Sequence, residues 1–109
     1  MSSKYAQYMK ERGDVDTYED EKGFFTYKVV GENFEVLELF VVPEHRRIGT
    51  GNEYSNKIDE LAKENECNAT YCTVCLMANG CDISAKYIMN NGYTIIKVDD
   101  EFIYYKKEL

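Results

Sequence analysis

Two arginines and two glycines stand together near the middle of the chain, in the run Arg46-Arg47-Ile48-Gly49-Thr50-Gly51. Their shared chemistry is anion binding. Arginine presents a planar, permanently charged fork suited to phosphate oxygens. Glycine lets the backbone approach a ligand with no Cβ in the way. An apolar segment over residues 34–42 precedes the run and an amphipathic one follows it, so a strand, a loop and a helix succeed one another. The start of that helix adds unpartnered N–H groups and the positive end of its dipole. A nucleotide P-loop would need Lys and then Ser or Thr after its last glycine. Asn52 and Glu53 stand there, and a carboxylate repels phosphate, which rules that reading out. A plain flexible turn would need the glycines but not the paired arginines.

The remaining reactive side chains point to less. Cys72 and Cys75 have the spacing of a metal-binding pair, with Cys67 and Cys81 to either side. Structural zinc sites carry such pairs on turns. Here Thr73 and Val74 continue a strand pattern, which sends the two thiols to opposite faces, so no metal is expected. His45 is the only histidine and reads as a surface residue beside the loop. There is no Gly-x-Ser-x-Gly elbow for a serine nucleophile.

The elements that must position the loop follow from periodicity. Residues 3–12 predict a short helix capped by Ser2 or Ser3, with Tyr5, Tyr8 and Met9 on one face and Gly13 at its end. Residues 14–21 are acidic without apolar periodicity and read as a loop. Residues 24–30 alternate Phe25, Tyr27 and Val29 with Thr26 and Lys28, a strand with one wet face. After a turn at Gly31-Glu32-Asn33, residues 34–42 return as its antiparallel partner, apolar on both faces like a central strand. Pro43 ends that pairing. A helix over 49–66 presents Tyr54, Ile58, Leu61 and Ala62 as one stripe. Residues 70–77 predict a buried strand that Asn79-Gly80 breaks. Asp82 or Ser84 then caps a helix reaching residue 90, with Ile83, Tyr87 and Ile88 inward and Gly92 at its end. Two strands, 93–98 and 102–107, close the chain around Asp99-Asp100-Glu101. The expected fold class is mixed α/β, a mostly antiparallel sheet flanked by helices, in one domain over residues 1–109.

Composition bounds the function. The 109 residues allow one modest core. An apolar fraction of 44% argues against disorder, and a net charge of −7 against nucleic-acid or anionic-membrane binding. The same charge suits a cationic partner such as an amine. No apolar run reaches the ~20 residues of a membrane span, and the start lacks the apolar region of a signal peptide. The four cysteines are therefore expected as thiols in a reducing cytoplasm.

In its strand–loop–helix setting, Arg46-Arg47-Ile48-Gly49-Thr50-Gly51 resembles the Arg/Gln-x-x-Gly-x-Gly/Ala loop of the GNAT acetyltransferase superfamily. Leu39-Phe40-Val41 and Pro43 ahead of it, and Gly92-Tyr93 after the last helix, are similar to that family's pattern too. The resemblance covers roughly residues 23–109 and implies an N-terminally reduced member of the acyl-CoA N-acyltransferase fold. It implies that the loop from Arg46 through Arg47, Ile48, Gly49, Thr50 and Gly51 holds the diphosphate of acetyl-coenzyme A. It also implies that Leu39, Phe40 and Val41 pair with the pantetheine arm, with Asn79 as a weaker contact.

The implied activity is transfer of an acetyl group to a primary amine, by direct attack on the thioester. The amine would be a protein lysine, an N-terminus or a small amine. Such chemistry needs a polarised carbonyl, a base and an acid. A backbone N–H freed by a bulge or splay near residues 40–42 would polarise the carbonyl. Glu35, eight residues before Pro43, is the favoured base, with Glu38 second. Their odd spacing predicts opposite faces. The acid position, four residues before Gly92, holds Ile88 where the family often has tyrosine; its neighbour Tyr87 is the candidate acid or a core aromatic. The rival expectation is a catalytically weak CoA-binding or protein-interaction module, monomeric or homodimeric.

Overall fold

The computed structural model of the chain describes residues 3–46 and 48–109; Ser2 and Arg47, both singled out above, lie outside these. Helix α1 (Lys4–Gly13) starts at Ser3, whose side chain accepts from the Ala6 N–H at 3.0 Å. Asp14, rather than Gly13, takes the left-handed conformation that ends it, with φ 56°. Three strands follow: β1 (Asp16–Asp20), β2 (Gly23–Val30) and β3 (Asn33–Val41). A 3-10 turn (Pro43–His45) leads to α2 (Thr50–Glu64), β4 (Ala69–Cys75), α3 (Cys81–Asn90), β5 (Thr94–Val98) and β6 (Phe102–Glu108). The sheet order is β1-β2-β3-β4-β6-β5, antiparallel throughout except where β3 meets β4.

The segment expected as an acidic loop is strand β1. Its hydrogen-bond partners come from the outer edge of β2, which local sequence does not reveal. Tyr18 stacks on Phe25 at 5.1 Å and meets the edge of Tyr54 at 6.0 Å, fixing which face turns inward. Acidic side chains are tolerated because β1 is an edge strand, where charge also discourages pairing with other chains.

Helices α2 and α3 cover one face of the sheet. Under α2, Phe25, Phe34 and Val36 pack against Tyr54, Ile58 and Ala62. Under α3, Val74 and Tyr105 pack with Tyr93, Ala85 and Ile88. These core side chains face the helices, so their neighbours in sequence face away. On that second face lies α1, which buries no residue and rests through Tyr5 on Phe24, ring centroids 5.5 Å apart. No helix among the described residues is long and apolar enough to cross a membrane.

Candidate active site

The sheet forks in its middle. Strands β3 and β4 pair only at Asn33↔Ala69, Phe34↔Thr70 and Glu35↔Tyr71. Beyond Glu35, β3 stays with β2 as far as Val41↔Gly23, while β4 stays with β6 as far as Cys75↔Phe102. The fork begins at a β-bulge. Val36 pairs with Tyr27 and Glu38 with Thr26, so Leu37 is an extra residue on β3. Bulges bend and twist the strand that carries them. The expected break in pairing is present, but it starts earlier than residue 40.

β3 is therefore not apolar and buried along its length. Phe34 is fully buried, whereas Leu37, Leu39 and Phe40 are 45%, 39% and 42% exposed along the gap. The gap also has polar walls. The Val42 N–H donates to the Lys22 carbonyl at 2.8 Å, across toward β2. Antiparallel ladders alternate, so the N–H groups of Leu39 and Val41 point away from β2, into the gap. The Val41 carbonyl points the same way and accepts from Arg46 Nε at 2.8 Å.

The loop sits at the mouth of the gap. Gly49 caps α2 in the left-handed conformation, φ 90°, and a Cβ there would meet nothing within 4 Å. No side chain caps the helix, and Glu53 N–H is the first to reach back, to the Gly49 carbonyl at 3.1 Å. The amides of Thr50, Gly51 and Asn52 have no partner in the helix. Gly51 is needed for another reason than expected: a Cβ would stand 2.8 Å from Tyr87 Cε1. Its missing side chain admits a ring of α3, rather than a ligand. The Arg46 guanidinium lies 5.6 Å from the centre of the Phe40 ring. Glu53, the carboxylate that would oppose an anion here, is drawn aside by Lys22 at 2.8 Å.

Three cavities with shared walls lie along the gap, on both faces of the sheet. One of about 710 Å³ lies around the loop, lined among others by His45, Arg46, Gly49 and Asn52. It shares Leu39, Asn79, Ser84 and Tyr87 with a second, of about 240 Å³, that runs along the gap beneath the helices. The second shares Val36, Leu37, Cys72 and Thr73 with a third, of about 370 Å³, on the opposite face. Gly80 caps α3 in the left-handed conformation, φ 76°, as Gly49 caps α2, so both helix starts open on the loop cavity. Gly80, Ser84, Cys72 and Thr73 were expected only as turn, cap and strand residues, not on the cavity walls. The similar glycine ahead of each helix was the available signal.

Both candidate bases are on β3, but the bulge corrects their arrangement. The extra residue cancels the odd spacing. Lys28 and Thr26 share a face of β2 and are the partners of Glu35 and Glu38, which puts both glutamates on the face away from α2. Glu35 lines the far cavity together with Tyr71 and Tyr104. Glu38 is engaged elsewhere: its Oε1 accepts from the Tyr5 hydroxyl at 2.5 Å and from Thr26 Oγ1 at 3.4 Å.

Tyr87 bridges α3 and α2, its hydroxyl donating to the Gly51 carbonyl. Burial, aided by Cys72 and Asp59 nearby, pushes it up to about 12. Ile88 packs into the cluster beneath α3, but Ile83, expected inward, is exposed on the wall of the loop cavity. Ile48 is exposed, while Thr50 is buried under the loop. Register places Cys72 on the helix face and Cys75 on the other. Burial pushes the Cys72 thiol up to about 12, which makes it a poor nucleophile. No cluster of three or more His, Cys, Asp or Glu among the described residues could hold a metal ion.

No protein-family model matches the chain, and no curated protein sequence does. Solved structures do. The PaiA N-acetyltransferase of Thermoplasma acidophilum, in complex with coenzyme A, matches with a TM-score of 0.74 at 16% identity, over 93% of this chain and 66% of its own. An acetyltransferase of Thermus thermophilus gives 0.77 at 13% identity, over 94% and 70%. An acetyltransferase of Bacillus subtilis, also in complex with coenzyme A, gives 0.74 at 12%, over 99% and 84%. The chain thus spans just under two thirds of the first of these. The chain has the fold of the GNAT acetyltransferases, a six-stranded sheet flanked by helices.

Proposed function

We propose that the protein binds acetyl-coenzyme A in the fork and transfers its acetyl group to a primary amine. The observation that carries this reading is the junction of the fork with the open N-terminus of α2. The amides of Leu39 and Val41 and the uncapped first turn after Gly49 line one continuous cavity. Its dimensions suit the group, since the loop end offers about 710 Å³ and open space over Gly49. Arg46, together with the amides of Thr50, Gly51 and Asn52, would hold the diphosphate. Asn79 and the edge of β3 from Leu39 to Val41 would hold the pantetheine arm.

When bound, the coenzyme supplies an activated thioester carbonyl. The Leu39 amide, aimed into the gap, would donate to that carbonyl oxygen and favour the charge it gains on attack. Glu35, on the acceptor side of the gap, would take the proton of the attacking amine, directly or through water. The neighbouring walls of Tyr71 and Tyr104 partly exclude water from that exchange. Tyr87 would serve as the acid only by leaving the Gly51 carbonyl. That engagement, with Ile88 at the position where an acid was sought, favours a second reading: a module that binds the coenzyme and a partner without turnover.

Thermal unfolding with and without acetyl-coenzyme A tests binding. Ligand at a hundredfold excess over Kd should stabilise the folded state by about 2.7 kcal/mol. Release of free thiol in the presence of amine acceptors then separates the enzyme from the binder. A folded protein with no shift at millimolar ligand contradicts both.

A further inference from the structure

We propose that Tyr5 and Glu38 form a clamp that pins the β-bulge at Leu37 and so positions the Leu39 amide in the gap. The inference rests on the gap being the acyl site. Its premise is a register problem. Losing the bulge, so that residues 37–41 slip by one against β2, would exchange the two edges and turn the Leu39 N–H toward β2. Before the bulge, burial prevents this: Phe34 stacks on Tyr27 at 4.6 Å and Val36 lies in the core. After it, Leu37, Leu39 and Phe40 are all exposed and only Val41 packs in part against the core, so burial chooses the register weakly.

What remains is polar. Glu38 is the first paired residue past the bulge, opposite Thr26, and its carboxylate accepts from that same partner's hydroxyl. Tyr5 adds a second, charge-assisted bond from α1 at 2.5 Å. Its ring continues through Phe24 to Phe40, centroids 5.5 and 5.9 Å apart, on the same face. The bond to Glu38 pushes the Tyr5 hydroxyl up to about 12. No residue of helix α1 is itself buried, and this contact gives the helix a role: it holds the strand edge from the far face. Tyr5 and Glu38 are positioning residues, acting through a backbone amide.

Two measurements on the full chain test this, one independent of activity. Tyr5→Phe keeps the ring contact and removes the hydroxyl. In amide-resolved NMR it should move the Leu39 and Val41 signals, as should Glu38→Leu, while Glu38→Gln, which keeps an acceptor for the phenol, restores them. Tyr8→Phe, elsewhere on α1, should leave them in place. In acetyl transfer, Tyr5→Phe and Glu38→Leu should each lower kcat roughly tenfold with little change in KM for acetyl-coenzyme A. The double variant should be no worse than the worse single one, because the pair acts as a unit. Unmoved amides in Tyr5→Phe overturn the clamp, as does multiplication of the two kinetic losses. A near-complete loss in Glu38→Leu with full activity in Tyr5→Phe would instead make Glu38 a catalytic base. Absence of transfer by the unaltered protein would count against the enzyme reading alone, and the amide positions would still decide the clamp.

Discussion

The two halves of β3 have similar sequences and opposite fates. Residues 33–36 include Phe34 and Val36, which lie in the core under α2. Residues 37–41 include Leu37, Leu39 and Phe40, which are just as apolar and are exposed. The difference lies in the neighbour. The first half has β4 beside it and the second half does not. An apolar run therefore marks a surface kept from water in the working state, which can be a core or a ligand groove. If the proposed site is right, one strand supplies both, and a single extra residue divides them.

Substitutions in the two halves should part company. Phe34→Ala should cost about 3–5 kcal/mol of stability in urea unfolding, whereas Leu39→Ala should cost less than about 1 kcal/mol, as exposed positions do. Equal costs would mean that the second half is buried after all. Next in size is the separation of the glutamates. Glu35→Gln should lower kcat about 10²-fold with the coenzyme still bound, the usual scale for losing a positioned base. If acetyl-coenzyme A affinity falls instead, Glu35 belongs to the binding surface.

The two loop glycines extend the comparison. Gly51→Ala drives a methyl into Tyr87 and should cost about 1–3 kcal/mol through overpacking. Gly49→Ala meets no atom but must hold φ 90°, at a cost of about 1–2 kcal/mol. Pairing Gly51→Ala with Tyr87→Leu should recover much of the first loss and none of the second.

The smallest expected effect is electrostatic and lies at the outer strand. Burial opposes the ionisation of Asp20, but hydrogen bonds from the Tyr54 hydroxyl at 2.6 Å and from the Lys22 and Gly23 amides outweigh it and hold its carboxyl below the usual range. A lowered folded-state pKa gives stability that is present above the unfolded value of about 3.9 and is lost as pH falls through the folded one. Tyr54→Phe should cost roughly 1 kcal/mol at pH 7 and flatten the acid limb of the stability curve below pH 4. An unchanged acid limb would show that the bond does not form.

What could be read from the chain followed how local its cause was. The loop, the hairpin β2–β3 and the stripe on α2 rest on residues a few positions apart, and the structure has them. β1 was hidden because an acidic edge strand draws its bonds from β2 and its one inward ring, Tyr18, from packing against Phe25 and Tyr54. The bulge at Leu37 was hidden because no glycine marks it, and it reversed the relation between Glu35 and Glu38. The reason for Gly51 lies 36 residues away, on Tyr87. Alternation and spacing describe ideal elements, and the candidate site is built where β3 departs from the ideal.

In the proposed function the fork and the start of α2 form one binding surface for acetyl-coenzyme A. The most direct measurement is an amide-resolved NMR titration with the coenzyme. Leu39, Val41, Thr50, Gly51 and Asn52 should shift together and saturate at one concentration, while β1 and its turn stay still. Saturable binding that moves other amides and leaves Leu39 and Gly51 in place would contradict it.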